Sequence, residues 1–496
     1  MHDGVRAARS DSAERANPRF REISIYLITL ALLLWPLAIN RAPFYSADSA
    51  SYLRGGAFGF NTGLLFLEQW WQSLVGTTSA VTAGADPRAV AAGAVAEAGG
   101  VRSLIYSVAT YLLRFPGNSL LALAIAQAGA VALVVSCLRR LIAPQLGLRS
   151  SLAVAGALAA LTSAPWYAAY AVPDIPAGIT IAGALALTLF FDRLGIVLRL
   201  ALVALIALCI TTHGSHLPVA FCVLVAGAVA NFVLQHPSQR LAARSSLWFV
   251  SPVILAVAAL LGTSYLAFGE PSLAPKRYPI QLARSVSDGP GAWHLRDHCA
   301  TERYAICEIF GPNPPRRVGD FLWSENGVRN RATPEQMERI RAEESTIVRR
   351  AAMEYPVQQL SRSATNIFLQ LFDFGTDDLV FGERMIGGVD DPSVVRNRPD
   401  NLMLKTLSEA VIYLSFVASI FLLFVLRPRL RSVEVAAISV ALVGLLANAA
   451  VCGILSAVTD RYQGRVAWIL PVLAIIIWLR VRAEATPATA AKVAIA

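Results

Sequence analysis

Four short stretches of this chain carry residue types that could do chemistry at a membrane surface. The first runs Arg41, Ala42, Pro43, Phe44, Tyr45, Ser46, Ala47, Asp48, Ser49, Ala50, Ser51, Tyr52. Pro43 stiffens the chain, and Asp48 and Tyr52, four residues apart, share one face of any helix formed there. A carboxylate at the lipid boundary can take a proton from an acceptor hydroxyl, with partial desolvation tuning its basicity. Asp48, with Ser49 and Ser51 beside it, is also suited to capping a helix. On the residues alone both roles stand.

The second stretch gathers Trp166, Tyr167, Tyr170, Pro173, Asp174 and Pro176. Prolines on both sides of Asp174 make a rigid break, where Asp174 either serves the reaction or caps the helix that Pro176 begins. The third is Thr211, Thr212, His213, Gly214, Ser215, His216. Two histidines three apart could contact a phosphate when protonated, hold two positions of a metal, or cap helix ends. The fourth is Asp460, Arg461, Tyr462, Gln463, Gly464, Arg465. Guanidinium groups bind phosphate oxygens in bidentate fashion, so Arg461 and Arg465, with Tyr462 between them, suit a lipid phosphate; an internal ion pair with Asp460 is the alternative. Lys276, Arg277 and Tyr278 form a lesser group of the same kind.

Long apolar segments must position these groups. Of 496 residues 55% are hydrophobic and 15% charged, against roughly a quarter charged in a soluble domain. Apolar runs near the roughly 20 residues that cross a bilayer occupy 23–39, 118–141, 151–169, 175–191, 196–212, 217–234, 247–268, 407–426, 433–458 and 466–479. Together they predict an all-α polytopic membrane protein of about ten transmembrane helices. Arg6, Arg9, Arg15, Arg19 and Arg21 precede the first run without a small-residue cleavage site, which predicts an uncleaved helix with a cytoplasmic N-terminus.

Threading the chain from there places Arg139, Arg140 and Arg149, then Arg193, Arg240 and Arg244, then Arg427, Arg429 and Arg431, and finally Arg480 and Arg482 on one side. That side is the cytoplasmic one by the positive-inside bias. The net charge of +10 belongs to this pattern and not to nucleic-acid binding, because the basic residues stand singly between apolar runs.

The expected organisation is a cytoplasmic tail over 1–22, a membrane domain over 23–268 with a first outer loop at 40–117, an extracytoplasmic segment at 269–406, C-terminal membrane helices over 407–482 and a disordered cytoplasmic tail from 483 to 496. Residues 64–75 and 101–115 read as two helices lying in the interface, with Trp70, Trp71 and Tyr106 at that depth. The outer segment is small and mostly helical. Thr333, Pro334 and Gln336 spell a helix start with a capping box; Met337, Ile340, Ile347 and Ala351 make one face, and Pro356 ends the run. Cys299 and Cys307 fall in this segment, where an oxidising compartment favours a disulfide, unpaired thiols being the alternative.

One N-terminal helix, a long first outer loop opening with Asp48 and Tyr52, and interfacial helices within that loop resemble the GT-C glycosyltransferases, multispanning enzymes that take sugars from polyprenyl-phosphate carriers. The resemblance covers the topology of the whole chain and the sequence of about ten residues. It implies a membrane transferase in the bacterial inner membrane, both termini cytoplasmic, moving a sugar from a polyprenyl-phosphate-linked donor to a hydroxyl of a glycan, lipid or protein acceptor. Asp48 matches the first-loop carboxylate that is the family's usual catalytic candidate. No cofactor is required by the pattern. A divalent cation is the one candidate, and the acidic pair that many relatives carry in this loop is missing, since Ala47 and Ser49 flank Asp48. The rivals are a transporter or flippase, which would hold charges near the bilayer midplane, a polymerase or ligase of lipid-linked glycans, and a structural membrane protein.

Overall fold

The computed structural model describes residues 18–75, 102–234 and 243–493. Up to residue 268 the helices are α1 (Pro18–Leu33), α2 (Trp35–Asn40), α3 (Ala47–Val75), α4 (Leu104–Leu112), α5 (Leu121–Ile142), α6 (Leu148–Leu161), α7 (Ala164–Ala168), α8 (Pro176–Leu189), α9 (Ile196–Thr212), α10 (His216–Leu234) and α11 (Ala243–Phe268). The segment 269–406 adds α12 (Ile280–Asp288), α13 (Pro290–Glu302), α14 (Ala305–Phe310), α15 (Val318–Leu322), α16 (Val328–Arg331), α17 (Pro334–Glu354) and α18 (Pro356–Phe372). A two-stranded antiparallel hairpin, β1 (Glu383–Ile386) with β2 (Ser393–Arg396), leads to α19 (Leu402–Leu426), α20 (Ser432–Leu455), α21 (Arg461–Ala467) and α22 (Ile469–Val493).

The chain is an all-α membrane protein. Among the described residues seven helices are long and apolar enough to cross a bilayer: Arg19–Asn40, Leu121–Ile142, His216–Leu234, Ser246–Phe268, Leu402–Arg429, Ser432–Leu455 and Arg461–Ala485. The remaining three expected spans correspond to shorter apolar helices, α6, α8 and α9. At 1.5 Å per residue, the 14 residues of α8 reach about 21 Å, less than a typical hydrocarbon core. Every residue of α8 is buried, so it lies inside a sleeve of neighbouring helices, with α9, α10, α20 and α5 packed around it. Its sequence, PAGITIAGALALTL, is apolar on every side apart from Thr180 and Thr188, whose hydroxyls donate to backbone carbonyls one turn earlier, as a helix surrounded on all sides requires.

Arginines collect at one end of this bundle. Arg139 on α5 is paired with Glu22 at the start of α1, Arg193 Nη1 donates to the Leu141 carbonyl at 3.2 Å, and Arg480 joins the buried Glu434. The Arg240 position lies outside the described residues, as do residues 1–17 of the N-terminal tail and 76–101 of the first loop.

Two boundaries differ from the sequence reading. Residues 64–75 do not form a helix of their own but the second half of α3, a single 29-residue helix beginning at Ala47; Gly56 and Gly59 let α4 pack closely on its first half, where a Cβ would meet Ser107 or Leu104. At the other terminus α22 continues past 482 as far as Val493.

The segment 269–406 has its own apolar cluster, built from Leu282, Leu295, Ile306, Phe321, Ile340 and Ile347 among others. The helix read from the sequence is α17: Thr333 Oγ1 accepts the Gln336 N–H at 3.2 Å, and Gln336 Oε1 accepts the Thr333 N–H at 3.0 Å. Met337, Ile340, Ile347 and Ala351 are buried as one face. Pro356 ends that helix and starts the next, since the first turn has no use for the missing N–H. Cys299 and Cys307 are bonded, with Cα atoms 5.7 Å apart.

Candidate functional site

The end of the bundle away from the arginine-rich loops is assembled by a short extended contact. Phe44 and Tyr170 form a parallel bridge in which the Phe44 N–H donates to Ala169 O and the Ala171 N–H donates to Phe44 O, each at 2.9 Å. Ser49 Oγ also donates to Ala171 O at 2.9 Å. These bonds set the start of α3 beside the Pro173–Pro176 break, so two carboxylates far apart in sequence become neighbours.

Asp48 is not the cap of α3. Ser46 Oγ accepts the Asp48 N–H and Ser49 Oγ accepts the Ser46 N–H, both at 3.1 Å, which satisfies the helix start without the aspartate. The Asp48 side chain is thereby free to turn to Arg102, whose Nη1 and Nη2 donate to Oδ2 at 2.9 Å and Oδ1 at 2.5 Å. Arg102 is itself located by Ser103, which donates to Thr211 O at 2.6 Å while accepting the Tyr106 N–H at the start of α4. Tyr52 lies one turn after Asp48, buried edge-to-face against Tyr106 at 4.9 Å and under the Arg102 guanidinium at 5.6 Å.

Asp174 does not cap α8 through its side chain either. Its Oδ1 accepts from Arg465 Nη1 at 3.1 Å. Arg465 is completely buried, and its Nη2 also reaches Asn448 Oδ1 at 2.9 Å and Ser215 Oγ at 3.0 Å. The internal ion pair open to Arg465 on the sequence is therefore made with Asp174 and not with Asp460, which instead accepts the Asp377 N–H at 2.6 Å. Gly464 permits this arrangement, because a Cβ there would stand 2.3 Å from the Tyr167 hydroxyl.

Arg461 links the two halves. Its Nη2 is 3.9 Å from Asp48 Oδ2, and its Nε is 3.9 Å from Asp174 Oδ2 and 3.7 Å from Asp378 Oδ2. Asp174 Oδ2 has no hydrogen-bond partner. Tyr462 presents its ring to both Arg461 and Arg465, at 5.2 and 5.1 Å. The cluster is layered. Arg465 and Asp174 side chains are 0% and 4% exposed, whereas Arg461, Asp48, Arg102 and Asp378 are 20%, 23%, 34% and 43% exposed. Only the outer layer can touch a substrate. Burial, partly offset by Arg461, raises the Asp378 carboxyl above its ordinary range.

The histidines flank this cluster as neutral groups. Burial first, then Arg465, Arg461 and Arg102, push His213 down to about 3; its Nδ1 accepts the Ser215 N–H at 3.2 Å. His216 Nδ1 meets the Cys209 carbonyl at 2.9 Å, and since a carbonyl can only accept, that nitrogen carries the hydrogen. Neither ring offers a cation to a phosphate. Among the described residues, the groups with three ligating atoms in mutual reach are His294, His298, Glu354 and Asp377, Glu409, Asp460, so His213 and His216 belong to neither. In the second group Glu409 accepts the Thr376 N–H at 2.6 Å and Asp460 accepts the Asp377 N–H, so these carboxylates hold the 375–377 backbone. Lys276 and Arg277 are paired with Glu338 and Glu344 on α17.

Two participants were not singled out from the sequence. Arg102 offered the same signal as Arg461, an arginine on the side the charge bias disfavours. Asp378 belongs to an acidic pair with Asp377, but nothing in sequence spacing connects it to Asp48. Compared with known family models, curated proteins and solved structures, the chain matches none.

Proposed function

We propose that this chain is an integral membrane glycosyltransferase of GT-C type, which moves a sugar from a polyprenyl-phosphate-linked donor to an acceptor hydroxyl on the non-cytoplasmic face, across a bundle of ten membrane segments. The observation that carries the reading is the meeting of Asp48, Asp174 and Asp378 around Arg461 at one end of the bundle, contributed by parts of the chain hundreds of residues apart.

In this reading Asp48 takes the acceptor proton as the hydroxyl oxygen attacks the anomeric carbon. The bond from that carbon to the phosphate oxygen breaks, and the departing polyprenyl phosphate carries away the electron pair. Arg461 and Arg102 meet the charge that develops on it. Because Arg102 also grips Asp48, the incoming phosphate competes for that guanidinium, and donor binding releases the carboxylate for proton transfer. Arg465 is too deeply buried to reach a donor; it positions Asp174, which in turn fixes Arg461. Asp378, in the exposed layer, borders the acceptor side.

A transport role would call for ionisable groups near the middle of the spans. The charged residues of the seven long spans stand within about two turns of a span end, as Glu409 does in Leu402–Arg429 and Arg480 in Arg461–Ala485. The deciding experiment is transfer of labelled sugar from a polyprenyl-phosphate donor by the purified protein, compared with its Asp48→Asn variant.

A further inference from the structure

We propose that His294, His298 and Glu354 form a binding site for a divalent transition-metal ion, zinc by preference, in the outer segment. His294 and His298 are four apart on α13, so both rings leave the same face, 4.4 Å between centroids. Glu354 is the last residue of α17 and turns its carboxylate to both: Oε2 lies 2.7 Å from His294 Nδ1 and Oε1 lies 3.4 Å from His298 Nε2. Zinc bonds of 2.0–2.1 Å in a tetrahedron put neighbouring ligand atoms about 3.3 Å apart. One ligand atom from each of the three residues already lies within 4.8 Å of the other two, so modest side-chain turns close the set on an ion.

The surroundings suit a metal ligand set. His294 is 3% exposed, and its second nitrogen, Nε2, lies 3.3 Å from the Tyr304 hydroxyl, which also accepts from Arg350 Nη1 at 3.1 Å. With a metal on Nδ1, the Nε2–H donates to Tyr304, the kind of outer partner that orients ligating histidines. His298 and Glu354 side chains are 37% and 35% exposed, which leaves an entry path and room for water as fourth ligand. Two imidazoles and one carboxylate favour zinc over calcium or magnesium, which take oxygen ligands. The ion would tie α13, which carries Cys299 of the Cys299–Cys307 bridge, to the end of α17.

The test uses the whole protein in detergent with the disulfide intact, freed of metal by a chelator and titrated with cobalt chloride. The expected result is a saturable visible d–d spectrum at one ion per chain, erased by stoichiometric zinc. The exposed variant His298→Ala and the near-isosteric Glu354→Gln should each lose at least about a hundredfold in affinity, and Tyr304→Phe about tenfold, in line with outer-partner losses of 10–100-fold. No saturable spectrum, a spectrum unchanged in both ligand variants, or thiolate charge-transfer bands pointing to Cys222 would each overturn the proposal. The trio would then be a hydrogen-bonded contact only.

Discussion

Arg102 and Asp48, 54 residues apart, are joined by two parallel hydrogen bonds, so the side chain best placed to accept a proton is held by a guanidinium from another helix start. Charge-assisted bidentate pairs of this kind are geometrically specific. If the donor phosphate draws Arg102 away, replacing Arg102 should affect donor use and not folding. Arg102→Ala is expected to raise the donor KM by about tenfold or more, roughly the 1.5–3 kcal/mol of a hydrogen bond to a charged group, with little change in melting temperature. Arg102→Lys, lacking the fork, should recover only part of it. An unchanged KM for both variants would remove Arg102 from the donor site.

The buried pair beneath it should behave differently. Asp174→Asn leaves the fully buried Arg465 without its anionic partner, and breaking such a pair costs about 3–5 kcal/mol. The expected outcome is a clear loss of thermal stability in detergent, whereas Arg461→Ala, in the exposed layer, should keep the fold and weaken donor use. Differential scanning fluorimetry of the two variants side by side would test this. Equal melting temperatures would contradict the layered description.

A pH dependence follows from His213. Its folded value of about 3 lies below the ordinary 6.5, so the unfolded chain binds the proton first as pH falls. The contribution to stability is complete above 6.5 and is lost progressively as pH drops from 6.5 towards 3. His213→Asn keeps an acceptor for the Ser215 N–H and should flatten stability across that window, while wild type declines. Parallel curves from chemical denaturation would contradict it.

Sidedness is open to direct measurement. Reporter fusions after residue 244 and after Asp320 should report opposite faces of the membrane, and mass spectrometry of unreduced peptides should recover Cys299 joined to Cys307. Identical reporter signals would contradict the ten-segment arrangement, and two alkylated thiols would place the outer segment in a reducing compartment.

Much of this was legible in the sequence because the signals are local. Thr333, Pro334 and Gln336 start α17 through contacts within one turn, and apolar runs mark spans wherever lipid is the solvent. Other features depend on what packs against them. The close packing of α3 on α4 at Gly56 and Gly59 needs the partner helix to be seen, and the hairpin of β1 and β2 is two four-residue strands turning at Gly387, whose φ is 80°. For the site, residue types pointed to Asp48, Asp174 and Arg461. Burial divided Arg461 from Arg465, although the two stand one helical turn apart. No spacing along the chain could have supplied that, because the neighbours Asp174, Ser215 and Asn448 come from three separate elements.

The most direct test is the rate of sugar transfer by Asp48→Asn from a polyprenyl-phosphate-linked donor. Asparagine keeps the size and can still accept from Arg102, and the helix start is capped by Ser46 and Ser49, so folding and membrane insertion should be unchanged. Loss of general-base catalysis is expected to lower turnover by about 10²–10⁴-fold. Near-normal turnover in the purified variant would contradict the assignment of Asp48 as the base, and with it the reading of this end of the bundle as a transferase site.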